Sequence, residues 1–246
     1  MQITGKRVLI TGANRGLGKA LALACARADA SEIIACARNL ESLSALEAST
    51  RGLAARITQV KLDVTSDDEV ARAADGVGRV DILINSAGIS VFGGFLKASL
   101  EEIKREIDIN FLGPVRLVRA FAPAMAEYGD GLIVNIASQL SKVAIPMLGS
   151  YCATKAGVLS MTQAIRGDLA PSGVRVISIL PGTLDTDMAR GYDIPKTSAD
   201  SAALEILEAI RTESRETAVC DDARKLLSDL AADPVGVEEA LSQLRA

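Results

Sequence analysis

The chain has 246 residues, of which 49% are hydrophobic and 24% charged, and a formal net charge of −4. That is an ordinary globular composition, long enough for an ample core, and neither disordered nor fibrous. Its scattered lysines and arginines offer no phosphate-tracking surface, and its longest apolar runs, such as ALALACA at 20–26, are too short for a bilayer, so neither a nucleic-acid nor a membrane partner is expected.

The first apolar run, RVLITG at 7–12, follows a start too short in apolar character for a signal peptide, so a cytoplasmic location is expected. Further runs are EIIACA (32–37), ARITQVKL (55–62), VDILIN (80–85), GLIVNIAS (131–138), VRVISILP (174–181) and a weaker ETAVCD (216–221). Short, Val/Ile-rich and nearly continuous, they are predicted as strands covered on both faces. Helical periodicity fills the intervals near 16–28, 39–51, 66–75, 99–109, 110–128, 150–171 and 198–212. Strand–helix alternation implies an α/β fold: a single doubly wound parallel sheet with helices on both faces. One domain, 1–246, accounts for the whole chain. Within it, 183–212 is expected to be a substrate lid, because 183–197 is the longest stretch without periodicity, and 222–246 a helical C-terminal tail. Asp233 and Pro234 read as the cap and first turn of the terminal helix.

The cysteines at 25, 36, 152 and 220 are widely spaced and the chain has no histidine, so neither a disulfide framework nor a metal site is expected. The missing histidine also removes the usual proton carrier near neutral pH.

Chemistry first shows at RVLITGANRGLGKAL. Gly12, Gly16 and Gly18 sit in a turn between strand and helix, where backbone N–H groups can approach a pyrophosphate and the helix N-terminus adds partial positive charge. The spacing is G-x-x-x-G-x-G rather than the usual G-x-G-x-x-G. At the end of the second strand, where an acid would hold a ribose 2′-hydroxyl, stands Arg38, and Arg15 lies inside the glycine turn. Either arginine alone reads equally well as solvated surface. Together they favour a 2′-phosphate, and so NADP(H) over NAD.

YCATK at 151–155 supplies the candidate reacting groups. On a helix, Tyr151 and Lys155 share a face, and an ammonium beside a phenol favours its ionised form. Tuned in this way, a side chain with an ordinary pKa of about 10 could give a proton to a carbonyl oxygen or take one from an alcohol. Ser138, at the end of its strand, could hydrogen-bond the same oxygen. Alone, the Tyr–Lys spacing is weak and recurs by chance on inert helix faces.

In order and spacing, TGANRGLG (11–18), LDV (62–64), NSAG (85–88), Asn110, Ser138, YCATK (151–155) and PGTLDT (181–186) resemble the short-chain dehydrogenase/reductase family over residues 5–186. The resemblance implies a Rossmann-type sheet and hydride transfer between NAD(P)(H) and a carbonyl or alcohol. It implies that Gly12, Asn14, Arg15, Gly16, Leu17 and Gly18 hold the phosphates and adenosine end, and that Arg38 meets the 2′-phosphate. Asp63 and Val64 would border the adenine, and Asn85, Ala87 and Gly88 would line the middle of the cofactor. Tyr151 would be the acid–base, Ser138 would orient the substrate oxygen, Lys155 would bind the nicotinamide ribose, and Asn110 would hold a relay water. Pro181, Gly182, Leu184 and Thr186 would face the nicotinamide. Two departures stand out: Ser86 replaces a common asparagine, and no Gly-Gly pair follows residue 182, so tetramer assembly through a glycine-rich tail is not expected. A homodimer through the helices near 110–128 and 150–171 is.

The segments after the strands would surround a substrate. Ser138, Tyr151, Phe92, Leu140, Val143 and Met188 are the expected substrate contacts, and with no cluster of cations among them the expected substrate is a small to medium apolar carbonyl or secondary alcohol, although any one of these side chains could equally be local packing. The reading is therefore an NADP(H)-dependent carbonyl reductase or alcohol dehydrogenase. The alternatives are a non-catalytic NADP-binding regulator or sensor on the same fold, and more distantly an epimerase or dehydratase using the same tyrosine.

Overall fold

The computed structural model describes residues 1–191 and 193–244. Tyr192 of the expected lid, and Arg245 and Ala246 of the expected tail, lie outside the described residues. The elements run β1 Arg7–Thr11, α1 Gly16–Arg27, β2 Glu32–Ala37, α2 Ser44–Ser49, β3 Arg56–Lys61, α3 Asp67–Val77, β4 Ile82–Asn85, α4 Gly94–Lys97, α5 Leu100–Ile107, α6 Gly113–Tyr128 and β5 Gly131–Ile136. After these come α7 Gly149–Leu169, β6 Val174–Pro181, β7 Leu184–Asp185, β8 Thr197–Ser198, α8 Ala199–Thr212, β9 Glu216–Val219, α9 Asp221–Ala232 and α10 Pro234–Leu241.

Seven strands form one parallel sheet in the order β3-β2-β1-β4-β5-β6-β9. Successive crossovers run outward from β1 to β3, then reverse from β4 to β9, so the topology switches between β1 and β4. A cleft opens at the carboxyl ends of the strands at such a point. The doubly wound parallel sheet expected from the alternation of runs is thus present.

Side chains alternate across each strand and build two cores. Val8, Ile10, Ile33, Ile84 and Val134 pack on one face with Leu21 and Cys25 of α1 and Ile206 and Ile210 of α8. Leu9, Ile34, Leu83 and Ile133 pack on the other with Val70 of α3 and Leu117, Phe121 and Met125 of α6. Ala199–Thr212, expected as part of the lid region, is therefore a core helix. β3 was expected to be covered on both faces, but its residues are half-buried or exposed, because it is the sheet edge and its apolar side chains are limited to Ile57 and Val60.

Three local features depart from the sequence reading. The expected helix over 39–51 starts as a 3-10 turn, Leu40–Leu43, before α2. The helices over 99–128 are joined by a π-helical segment, Asp108–Leu112. The aperiodic connection contains a short parallel pair, with Leu184 opposite Thr197 and Asp185 opposite Ser198.

Candidate active site

The cleft at the switch point is a cavity of about 410 Å³ running from Arg38 at one end to Tyr151 and Leu148 at the other. Gly12 and Gly16 have φ of +69° and +52°, backbone that favours glycine, and a Cβ on Gly12 would stand 3.0 Å from the Ala87 Cα. A Cβ on Gly18 would collide with the Gly12 carbonyl oxygen, so α1 packs directly onto its turn. The first turn of α1 holds no acid and its N-cap makes no side-chain bond, which leaves N–H donors for an anion. Thr11 Oγ1 accepts from the N–H groups of Ser86 and Ala87, both at 3.1 Å, and ties the end of β4 to this turn.

Of the expected cofactor contacts, Gly12, Asn14, Arg15, Gly16, Leu17, Gly18, Arg38, Asp63, Val64, Ala87, Gly88, Pro181, Gly182, Leu184 and Thr186 all line this cavity, together with Tyr151 and Lys155. Asn85 does not. Its Nδ2 donates sideways to Asn135 Oδ1 at 2.7 Å inside the sheet, and Asn135 Nδ2 continues to Thr162 Oγ1 at 2.9 Å. Among the expected substrate contacts, Ser138, Leu140, Tyr151 and Met188 are brought together, whereas Phe92 and Val143 are outside the lining and Phe92 is 53% exposed.

The two arginines differ. Arg38 is exposed at the outer end, while Arg15 Nη1 reaches Asp187 Oδ2 at 3.2 Å across the cleft, and Asp187 also pairs with Arg190. The cleft residues fit a 2′-phosphorylated dinucleotide: a glycine cradle, an open helix N-terminus and cations at the far end.

At the reacting end, α7 carries Tyr151 and Lys155 one turn apart, with Nζ 5.7 Å from the phenol ring centre. Lys155 is 6% exposed and donates to the Ile136 carbonyl at 2.8 Å. Burial pushes its pKa down to about 8. Ser138 Oγ accepts from Leu140 N at 3.1 Å, which fixes the hydroxyl and leaves its proton to donate.

Asn110 is buried in the π-helical segment and does not line the cavity. Its Oδ1 accepts from Ile89 N and its Nδ2 donates to Ile89 O, each at 2.9 Å, and Nδ2 also donates to Thr154 Oγ1 at 3.1 Å. Thr154 in turn donates to the Tyr151 carbonyl at 2.7 Å, which chains Asn110 to the turn of helix that carries the tyrosine.

Three further residues shape the site without an obvious signal in the sequence. Thr154 lies inside YCATK and reads there as packing. Asp222 Oδ2, in the first turn of α9, accepts from Thr183 N at 2.7 Å and from Gln139 Nε2 at 3.3 Å, and a Cβ on Gly182 would collide with its carboxylate. Leu241 of α10 packs with Leu140, Met147 and Tyr151 against Ile145, Leu148 and Cys152.

A dinucleotide-sized cleft at the switch point of a doubly wound sheet, with a tyrosine and a buried lysine at its inner end, defines a nucleotide-dependent oxidoreductase. The short chain dehydrogenase family model matches residues 6–196, and the chain belongs to that family. It is 34% identical over 232 residues to the ketoacyl reductase HetN of Nostoc sp., covering 88% of this chain and 79% of that one. Over 206 residues it is 32% identical to the 3-oxoacyl-[acyl-carrier-protein] reductase FabG of Thermotoga maritima, covering 82% of each. The crystal structure of a short chain dehydrogenase from Burkholderia cenocepacia in complex with NADP superposes with a TM-score of 0.91 at 36% identity, covering 98% of this chain and 99% of that one. A short-chain dehydrogenase from Sphingobium yanoikuyae in complex with NADPH gives 0.79 at 31% identity, with 98% of both chains covered. No described helix is long and apolar enough to cross a membrane.

Proposed function

We propose that the protein is an NADP(H)-dependent carbonyl reductase or alcohol dehydrogenase acting on small to medium apolar substrates. The observation that carries this reading is one cavity holding Arg38 at its outer end and Ser138, Tyr151 and Lys155 at its inner end. NADP(H), when bound, supplies or accepts the hydride.

The chain's own groups do the rest. The glycine turn and α1 N-terminus hold phosphates, Arg38 recognises the 2′-phosphate, and Thr186, beside Gly16, together with Pro181, Gly182 and Leu184 borders the nicotinamide half. Ser138 donates to the substrate oxygen and orients it. Tyr151 delivers a proton to that oxygen in reduction and removes it in oxidation, and the neighbouring ammonium of Lys155 stabilises the phenolate left behind. Asn110 fixes Ile89 and Thr154 by its side chain, so its service to proton transfer is to hold the inner wall in register. Leu140 and Met188 give the substrate end its apolar character.

The assembly consistent with this reading is a homodimer through α6 and α7, supported by exposed apolar side chains such as Leu112 at the start of α6. Four buried, unpaired cysteines support a reducing, cytoplasmic setting.

The test is NADPH oxidation by the wild-type protein and Tyr151→Phe over a panel of ketones and aldehydes. The expected result is turnover by the wild type and a loss of at least about 100-fold in kcat for the variant, the contribution of a positioned acid–base, with NADPH affinity retained. Tight NADPH binding with no turnover across the panel would transfer the assignment to a cofactor sensor.

A further inference from the structure

Beneath the reacting end lies a carboxylate that none of the roles above uses. Glu106 of α5 is 0% exposed. Its Oε1 accepts from Val91 N at 2.7 Å, whereas its Oε2 is buried without a hydrogen bond. The hydroxyl of Ser150, itself buried, approaches this carboxylate without closing a well-formed bond. A carboxylate removed from water in this way is costly unless an opposite charge answers it. Across the packed helices α5 and α7, the charged side chain that acts on it is Lys155, which is also buried and donates to the Ile136 carbonyl.

We propose that Glu106 is a positioning residue for Lys155: its buried carboxylate holds the lysine in its cationic form, while Val91 N–H and Ser150 hold the carboxylate. This rests on the reading of Tyr151 and Lys155 as the reacting pair. The surroundings of both groups are few. Around Lys155 stand Tyr151 from its own helix, the Ile136 carbonyl at the end of β5, and Glu106 from α5; around Glu106 stand Ser150 and the Cys152 thiol from α7, Val91 N–H from the loop after β4, and Lys155. Burial pushes the Lys155 pKa down, and among the described residues Glu106 is the charged side chain that opposes this. Burial pushes the Glu106 pKa up, and the nearby Ser150 hydroxyl, the bond from Val91 N and the charge of Lys155 oppose that in turn. Each group therefore favours the charged form of the other.

A merely structural Glu106 would brace the 89–93 loop through Val91, and glutamine would still accept that bond. Glu106→Gln separates the two roles because it removes the charge and keeps the shape. Without the carboxylate, burial acts on Lys155 alone and its midpoint falls below about 8. Loss of the ammonium at lower pH moves the alkaline limb of carbonyl reduction to lower pH.

The experiment is a 13C NMR titration of lysine-labelled free protein, with Lys155 assigned by its loss in Lys155→Met, alongside the pH profile of NADPH-dependent kcat/KM. The expected result is a Lys155 midpoint about one pH unit lower in Glu106→Gln, with the alkaline limb shifted by a similar amount. In the reciprocal arm, Lys155→Met should raise the midpoint of the Glu106 carboxyl carbon in glutamate-labelled protein. An unmoved Lys155 midpoint in folded Glu106→Gln, or an unmoved Glu106 midpoint in Lys155→Met, would overturn the proposal. Because both titrations use free protein, they read the Glu106–Lys155 coupling whether or not any carbonyl is turned over, and absent turnover counts against the proposed reaction alone.

Discussion

Arg15 and Arg38 both line the cleft, but the 183–197 connection already claims the first through Asp187. Arg15 is 3.2 Å from Asp187 and shares that carboxylate with Arg190, so its charge is partly answered. Arg38 stands exposed, and on the proposed reading it carries most of the discrimination for a 2′-phosphate. Arg38→Ala should weaken NADPH by about 10–100-fold, the worth of one charge-assisted bond, and leave NADH within about twofold. Calorimetric titration of both cofactors checks this; equal losses for the two would remove Arg38 from the 2′-phosphate site. The residues legible in the sequence were those whose relation is local. Tyr151 and Lys155 announce themselves by helical spacing, and Gly12, Gly16 and Gly18 by a turn between strand and helix. Asp222 was invisible because its partners Thr183 and Gln139 are 39 and 83 positions away, joined only when β6 and β9 pair. Asn85 was misleading for a related reason. Its motif points to the cofactor, but a second asparagine on β5 draws its side chain into the sheet.

At the scale of elements, strands and long helices were readable because burial on both faces imposes continuous apolar runs and amphipathic packing imposes a period near four. The π-helical insert Asp108–Leu112 was not, because it is defined by one side chain's tertiary bonds rather than by a repeating pattern. Asn110 sits at its centre and accepts from and donates to the backbone of Ile89, as a neighbouring strand would. Insertions of this kind concentrate at functional sites, where they re-aim a backbone segment. Here the segment is Gly88–Ile89, and a Cβ on Gly88 would lie 3.3 Å from Asn110 Oδ1 and 3.8 Å from Lys155 Nζ. Asn110→Ala leaves both Ile89 groups without that partner and should lower unfolding free energy by about 2 kcal/mol. Asn110→Asp keeps the acceptor for Ile89 N, but it loses the donors to Ile89 O and Thr154 and buries a carboxylate, so its loss should be larger. Urea denaturation of the three proteins would show the order, and equal stability would mean that the π-helical turn forms without the asparagine.

For the molecule as a whole, the site is closed by the part of the chain that the sequence resemblance does not reach. α9 anchors the turn after β6 through Asp222, and α10 returns across the substrate end, where Leu241 joins Leu140, Met147 and Tyr151 in one apolar cluster. The Leu244 carbonyl accepts from Met147 N at 3.3 Å and fixes the helix end against that wall. The tail is helical, as the capping by Asp233 and Pro234 predicts, but periodicity says nothing about what a helix covers, and its place over the site emerges only in three dimensions. On the proposed reading, α10 sets substrate size together with the 183–197 connection. Leu241 is half-buried, so Leu241→Ala should cost only about 1 kcal/mol of stability, less than a fully buried leucine. It should open space beside Tyr151 and raise kcat/KM for aryl or branched ketones relative to methyl ketones by about 10-fold, the worth of one to two methylenes in an apolar pocket. The measurement is that ratio, taken with NADPH affinity as a control for the intact cofactor cleft. An unchanged ratio in a folded, NADPH-binding variant would place Leu241 behind the wall rather than in it.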